Sequence, residues 1–164
     1  MINHVGKWLF LVTAATVICN FTAARADSLL IAAGNAVEEY TTSGSFAKTF
    51  VASGGGGLSS PGNLTFGLDG NLYVTSGGDG TIKEYNGQTG AFLGDFATGL
   101  PGAIDIAFDS LGRAYVAQYG TNQVSQLSAT GALLQTFTSM LSTPEGLTLT
   151  TTASRNSTEP PALS

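Results

Sequence analysis

Asn71-Leu72-Tyr73-Val74-Thr75 returns forty-two residues later as Arg113-Ala114-Tyr115-Val116-Ala117. The same step carries Phe66 to Phe108, Ile82 to Val124 and Tyr85 to Leu127, and, with a small slip, Asp69 to Asp109. A second motif runs alongside. Gly90-x-Phe92-x3-Phe96 recurs as Gly131-x-Leu133-x3-Phe137. It stands earlier as Gly44-x-Phe46-x3-Phe50, preceded by Val37 and Tyr40 in the places of Ile82 and Tyr85. Beyond residue 26, every Phe falls on one of these positions, and so does every Tyr except Tyr119. Self-similarity at a fixed period marks a repeat architecture, in which each unit buries its faces on its neighbours.

Each full repeat divides into four short apolar runs. Leu64 to Leu68, matched by Ile104 to Phe108, alternates apolar residues at period two, the spacing of a strand with two distinct faces. Leu72 to Thr75 and Ala114 to Ala117 form the second run, Thr81 to Tyr85 and Gln123 to Leu127 the third, Ala91 to Phe96 and Ala132 to Phe137 the fourth. Asp69-Gly70 reads as a tight hairpin turn, since Gly reaches positive φ at no steric cost. Asn86-Gly87-Gln88-Thr89-Gly90 reads as a polar turn. No segment beyond residue 26 carries a helical apolar stripe of useful length.

Four strands in about 42 residues match one blade of a β-propeller, a small twisted sheet with both faces buried. The expected fold is all-β, a β-propeller-like array of about three four-stranded antiparallel blades. A parallel β-helix has a shorter repeat and no use for hairpin turns; a β-sandwich is the remaining alternative. Ser28 to Val51 reads as the outer half of one blade, Leu58 to Ala97 and Leu100 to Phe137 as two full blades, and Pro144 to Leu149 as the first strand of another. That last strand could join the N-terminal half-blade. Closed propellers have typically about four to eight blades, so the array is either incomplete or completed by another chain. Gly54-Gly55-Gly56-Gly57 is expected to be a flexible connection between blades.

The ends carry other signals. His4 and Lys7 precede an apolar stretch from Trp8 to Ile18, and Ala24-Arg25-Ala26 offers small residues where a signal peptidase cuts. Residues 1–26 therefore read as a signal peptide, the repeats occupy 27–149, and the Ser/Thr/Pro-rich stretch 150–164 is expected to be disordered. The apolar run is shorter than the roughly 20 residues needed to span a bilayer. The expected location is secreted or periplasmic, with cleavage near Ala26/Asp27. Cleavage would remove the sole Cys, Trp and His of the chain. Lys48, Lys83, Arg113 and Arg155 would then face all 11 acids, a net charge of −7. An acidic chain without a basic cluster argues against nucleic acid and anionic membrane as partners.

Pro61 to Thr75 resembles the NHL-type repeat, with its Pro, its alternating apolar strand, its Asp-and-Gly turn and its Leu-Tyr-Val strand. Pro101 to Ala117 is similar, and Pro144-Glu145-Gly146-Leu147-Thr148-Leu149 resembles the opening of another. The resemblance covers about residues 28–149. It implies a propeller of a superfamily that holds scaffolds, protein-binding modules, gluconolactonase-like hydrolases and virginiamycin B lyase-like enzymes. A lyase site of that kind calls for a histidine, which residues 27–164 lack. A gluconolactonase-like site uses Glu, Asn and Asp around a divalent metal. Glu145, Asp105, Asp79 and Asn122 are the candidates for it, and oxygen ligands of this kind suit calcium. The plainer reading makes Glu145 a solvated strand-start residue, Asp79 and Asn122 turn formers, and Asp105 a channel-facing side chain. Gln118 and Tyr119, at a blade end, are candidate contacts for a ligand or partner. Two functions follow. One is an extracytoplasmic, non-enzymatic binding or scaffold protein with no cofactor; the other is a metal-dependent, lactonase-like hydrolase. The open blade faces also suggest a homo-oligomer that closes the propeller.

Overall fold

The computed structural model describes residues 27–137 and 142–150. The signal segment and the tail from residue 151 lie outside the described residues. Eleven strands form three separate antiparallel sheets, each a meander in chain order. The first sheet holds β1 (Ser28–Ala33), β2 (Ala36–Thr41) and β3 (Phe46–Val51). The second holds β4 (Pro61–Phe66), β5 (Leu72–Ser76), β6 (Thr81–Tyr85) and β7 (Phe92–Ala97). The third holds β8 (Ala103–Phe108), β9 (Ala114–Gln118), β10 (Gln123–Leu127) and β11 (Leu133–Phe137). Gly55–Gly57 and Tyr119–Thr121 make single 3-10 turns, and no α-helix occurs among the described residues.

The registers make the repeat explicit. Leu72 pairs with Tyr85 in the second sheet and Ala114 with Leu127 in the third. In the first sheet the same place is held by Leu29 and Tyr40. Residues 28–51 are thus three strands of a blade and not the expected outer half. The signal was the apolar run from Leu29 to Ala33, the counterpart of the Leu-Tyr-Val strand. Among the described residues this sheet has no innermost strand. Residues 144–149 do not supply it, because the first sheet holds β1, β2 and β3 alone. The registers also correct one equivalence: Pro61 lies opposite Ser76 and Ala103 opposite Gln118, so Pro101 is two residues out of step.

Both faces of β5 and β6, the central strands of the middle sheet, are buried, as a strand between two neighbours requires. Leu72 and Val74, fully buried, face the first sheet and pack with Val37, Phe50 and Val51. Tyr73, between them in sequence, faces the third sheet with Ile82, Ala114, Val116 and Leu127. Each fully buried Leu or Val contributes about 1.5–3 kcal/mol. Phe96 and Phe108 close on the Tyr73 ring at centroid distances of 5.0 and 4.8 Å. The equivalent Phe50, Phe96 and Phe137 are buried, half-buried and 41% exposed in turn; only the first two have a following sheet against them among the described residues.

Turns obey the close approach of the sheets. A Cβ at Gly90 would collide with the carbonyl oxygen of Phe50, and one at Gly131 with that of Phe96. The Asp69-Gly70 turn is longer than a two-residue hairpin. Gly67 N–H donates to Asn71 O at 3.0 Å, and Gly70 at φ +80° takes the left-handed place of a bulged loop. Gly54–Gly57 is not a flexible link. Gly56 at φ +66° lies so close to the Phe92 ring that a Cβ would overlap it, and the Tyr85 hydroxyl donates to Gly55 O at 2.8 Å.

Candidate functional site

The connections between sheets and the turns between second and third strands meet at one end of the array, laced by backbone hydrogen bonds. Gly77 N–H donates to Ser60 O and Gly78 N–H to Ser59 O. Leu100 N–H donates to Gly80 O, and Tyr119 N–H to Gly102 O. Two side chains repeat one role. Asn35 Oδ1 accepts from Ser60 N–H at 3.0 Å, and Asn122 Oδ1 accepts from Thr143 N–H at 2.8 Å. The registers put Asn35 and Asn122 at the same position, immediately before β2 and β10. Ser60 and Thr143 match as well: both are non-glycine residues at positive φ, +48° and +44°, and both precede a proline. Such conformations cost about 1–3 kcal/mol and persist where the surroundings hold them. Residues 144–149 therefore start where β4 starts, two repeats further on, although they form no strand.

Of the residues singled out in the sequence, Asp105 is buried on β8. Its Oδ1 accepts from Ile106 N–H at 2.8 Å and its Oδ2 from Leu147 N–H at 2.6 Å. Asp79 accepts from the Thr81 hydroxyl at 2.9 Å and pairs with Lys83 at 3.0 Å. Burial raises the Asp79 carboxyl, but hydrogen bonds from Ser76, Lys83 and Thr81 outweigh it and hold the group below its usual range. Glu145 is exposed. The structure joins Asp105 to Leu147, two residues past Glu145, and Asn122 to Thr143, but it does not gather these acids. Among the described residues no three His, Cys, Asp or Glu side chains converge as a metal ion would need. Gln118 is turned inward: its Oε1 accepts from Ser125 Oγ at 2.6 Å and its Nε2 donates to Pro101 O at 3.4 Å. Tyr119 is 45% exposed.

A shallow groove of about 260 Å³ between the second and third sheets is open to solvent at this end. Ser60, Gly62, Gly77, Gly102, Ile104 and Tyr119 line it. Three of the eight lining residues are glycines, so a ligand reaches backbone N–H and C=O groups there directly, and the Tyr119 ring adds a flat apolar surface with a polar tip. The groove offers hydrogen bonding and stacking. On the other face of the second sheet, the Lys83 ammonium is buried and held by Asp79 and Asp95 at 3.0 and 2.9 Å. Burial lowers its pKa, but the bonds to Asp95 and Asp79 raise it further, so the ammonium stays charged. The sequence did not single out that triad. Its signal was Lys83 four residues after Asp79, between Ile82 and Glu84 on a short strand.

No protein-family model matches the chain, and no curated protein matches it. Solved structures do. The WD40 β-propeller domain of Doa1 aligns with 74% of this chain at a TM-score of 0.60 and 21% identity. The fold is that of a β-propeller. Virginiamycin B lyase from Staphylococcus aureus aligns with 71% at a TM-score of 0.50 and 16% identity. A catalytically inactive form of that lyase, solved with quinupristin, aligns with 74% at 0.53 and 14% identity. The chain spans about two fifths of these propellers, 40%, 42% and 40% of their lengths. At such identities the likeness concerns the fold alone.

Proposed function

We propose that this is an extracytoplasmic binding or scaffold protein of the NHL-like propeller type, and that it holds its partner at the laced loop end. The observation that carries this reading is the division of labour at that end. Asp79, Asp105, Gln118 and Asn122 are spent on holding loops and strands together, whereas Tyr119 and the glycine-lined groove face solvent. Rigid sheets presenting loops are the usual platform for recognition. Export rests on Ala24-Arg25-Ala26 after the apolar run.

The test pairs two baits, the protein and its Tyr119→Ala variant, in affinity capture from the medium or periplasm of the producing cell. Species retained by the first and lost by the second support the reading. Equal retention by both moves the contact away from the groove. A lactone-hydrolysis assay with added calcium runs in parallel. Turnover that disappears in Glu145→Gln would replace binding by hydrolysis as the function.

A further inference from the structure

We infer that two copies of this chain close on each other head to tail, each donating residues 144–149 as the missing innermost strand of the other's first sheet. This goes beyond the binding role of the loop end and does not depend on it.

The argument starts from equivalent positions. In the second and third sheets, the face turned toward the preceding sheet carries Leu72, Val74 and Tyr85, then Ala114, Val116 and Leu127, each at most 1% exposed. The registers place Leu29, Ile31 and Tyr40 at the same three positions of the first sheet. There Leu29 is 50% and Ile31 44% exposed, with no sheet before them among the described residues. At the other end, Tyr73, Ile82 and Phe96 of the middle sheet face the third sheet. Their counterparts Tyr115, Val124 and Phe137 form the open face of the third sheet, with Phe137 41% exposed. The two open faces thus have the apolar character of the two surfaces that already meet twice inside the molecule. The turn glycines agree. Gly90 and Gly131 each lie against a Phe carbonyl of the preceding sheet, while Gly44, their counterpart at φ +86°, has open space where a Cβ would point.

The strand completes the fit. An innermost strand does two things here: β4 pairs with β5 of its own sheet and lies beside β8 of the next. Residues 144–149 do half of this. They start with the Thr143-Pro144 equivalent of Ser60-Pro61 and lie on β8 through Leu147 N–H and Asp105. Among the described residues they pair with no second strand, and the outer edge of β1, the counterpart of β5, is unpaired. Carried over from Leu64↔Val74 and Ile106↔Val116, the register sets Leu147 of one copy against Ile31 of the other. Three sheets per copy then give a ring of six four-stranded sheets, within the usual range of closed propellers. A head-to-tail contact of this kind closes when its rotation returns to the start.

The experiment uses the full chain carrying Cys19→Ser, which leaves no native thiol. Ile31→Cys with Leu147→Cys should cross-link under mild oxidation into a covalent dimer, since cross-strand neighbours lie within disulfide reach. A cross-linked monomer would show that the chain closes on itself, and no cross-link would show that the strand is not exchanged; either overturns the inference. Light scattering adds a second arm. Ile31→Asp and Phe137→Asp should each weaken the dimer at least tenfold, and mixing the two should restore association through their one undamaged interface. A side-by-side contact between like faces would not be rescued by mixing, and a wild-type chain that stays monomeric at micromolar concentration sinks the idea.

Discussion

Asp69 and Asp109 sit two residues apart in the repeat frame, yet both reach the hydroxyl of the following tyrosine. Tyr73 donates to Asp69 at 2.9 Å and Tyr115 to Asp109 at 3.5 Å. The slip is absorbed by Gly67, which stands where Asp109 stands; a Cβ there would be 2.8 Å from Asp69 Oδ1. Tyrosine ionisation is opposed on the same grounds. Burial first, then the Asp95 and Asp79 charges, push Tyr85 from 10.0 up to about 12. The Tyr73 hydroxyl is raised too, by burial and by Asp69. A folded pKa above the unfolded one gives stability that is complete below about pH 10 and is lost as pH rises toward 12. Tyr85→Phe should therefore lower Tm at pH 7, by loss of the bond to Gly55, yet flatten the fall in Tm between pH 10 and 12. Thermal melts across that range read both effects. Glycines separate in the same way. Gly70→Ala meets only the strain of φ +80°, about 1–2 kcal/mol. Gly90→Ala meets that strain and the Phe50 carbonyl as well, so its urea midpoint should fall clearly further.

At the scale of strands and connections, the lacing is the feature that the repeat pattern alone would not reveal. Asn35 ties a turn to the next connection by one side-chain hydrogen bond, and Asn122 does the same two repeats further on. Asn35→Ala should cost about 1 kcal/mol in chemical denaturation and raise amide exchange at Ser60 first. No change at Ser60 would mean that the Pro61 strand alone holds the connection. Strands themselves were readable because period two and the Gly-bearing turns leave local marks, so β4 to β11 fall close to the apolar runs. The first blade was under-read by one strand, since Ser28 to Ala33 follows an apolar leader of similar composition, although Gly34-Asn35 between β1 and β2 is a two-residue hairpin signal. Pro101 misled for a related reason. Proline marks a connection, but register is set by pairing, which places Ala103 and not Pro101 opposite the end of β9.

The molecule as a whole is a row of sheets, so its stability is a sum over interfaces. The middle sheet touches neighbours on both faces, and its β5 and β6 should show the slowest amide exchange, with β11 the fastest. Uniform protection across the three sheets of a monomer would contradict this. The same logic predicts unequal costs at equivalent positions. Leu72→Ala, in a closed interface, should cost about 2–5 kcal/mol. Leu29→Ala should cost well under that in a monomer, and approach it only if a second copy covers the first sheet. What the sequence determined by itself was the repeat, the strand periodicity, the all-β class and the residues that alternate between two buried faces, because these follow from covalent spacing and the two-residue pleat. Which acids share a site, which polar side chains are consumed in holding loops, and which sheet faces stay open were decided only by the tertiary structure. Those properties depend on distances between residues about forty positions apart, and a register shift of two, as at Asp69 and Asp109, changes the partner without leaving a mark in either segment.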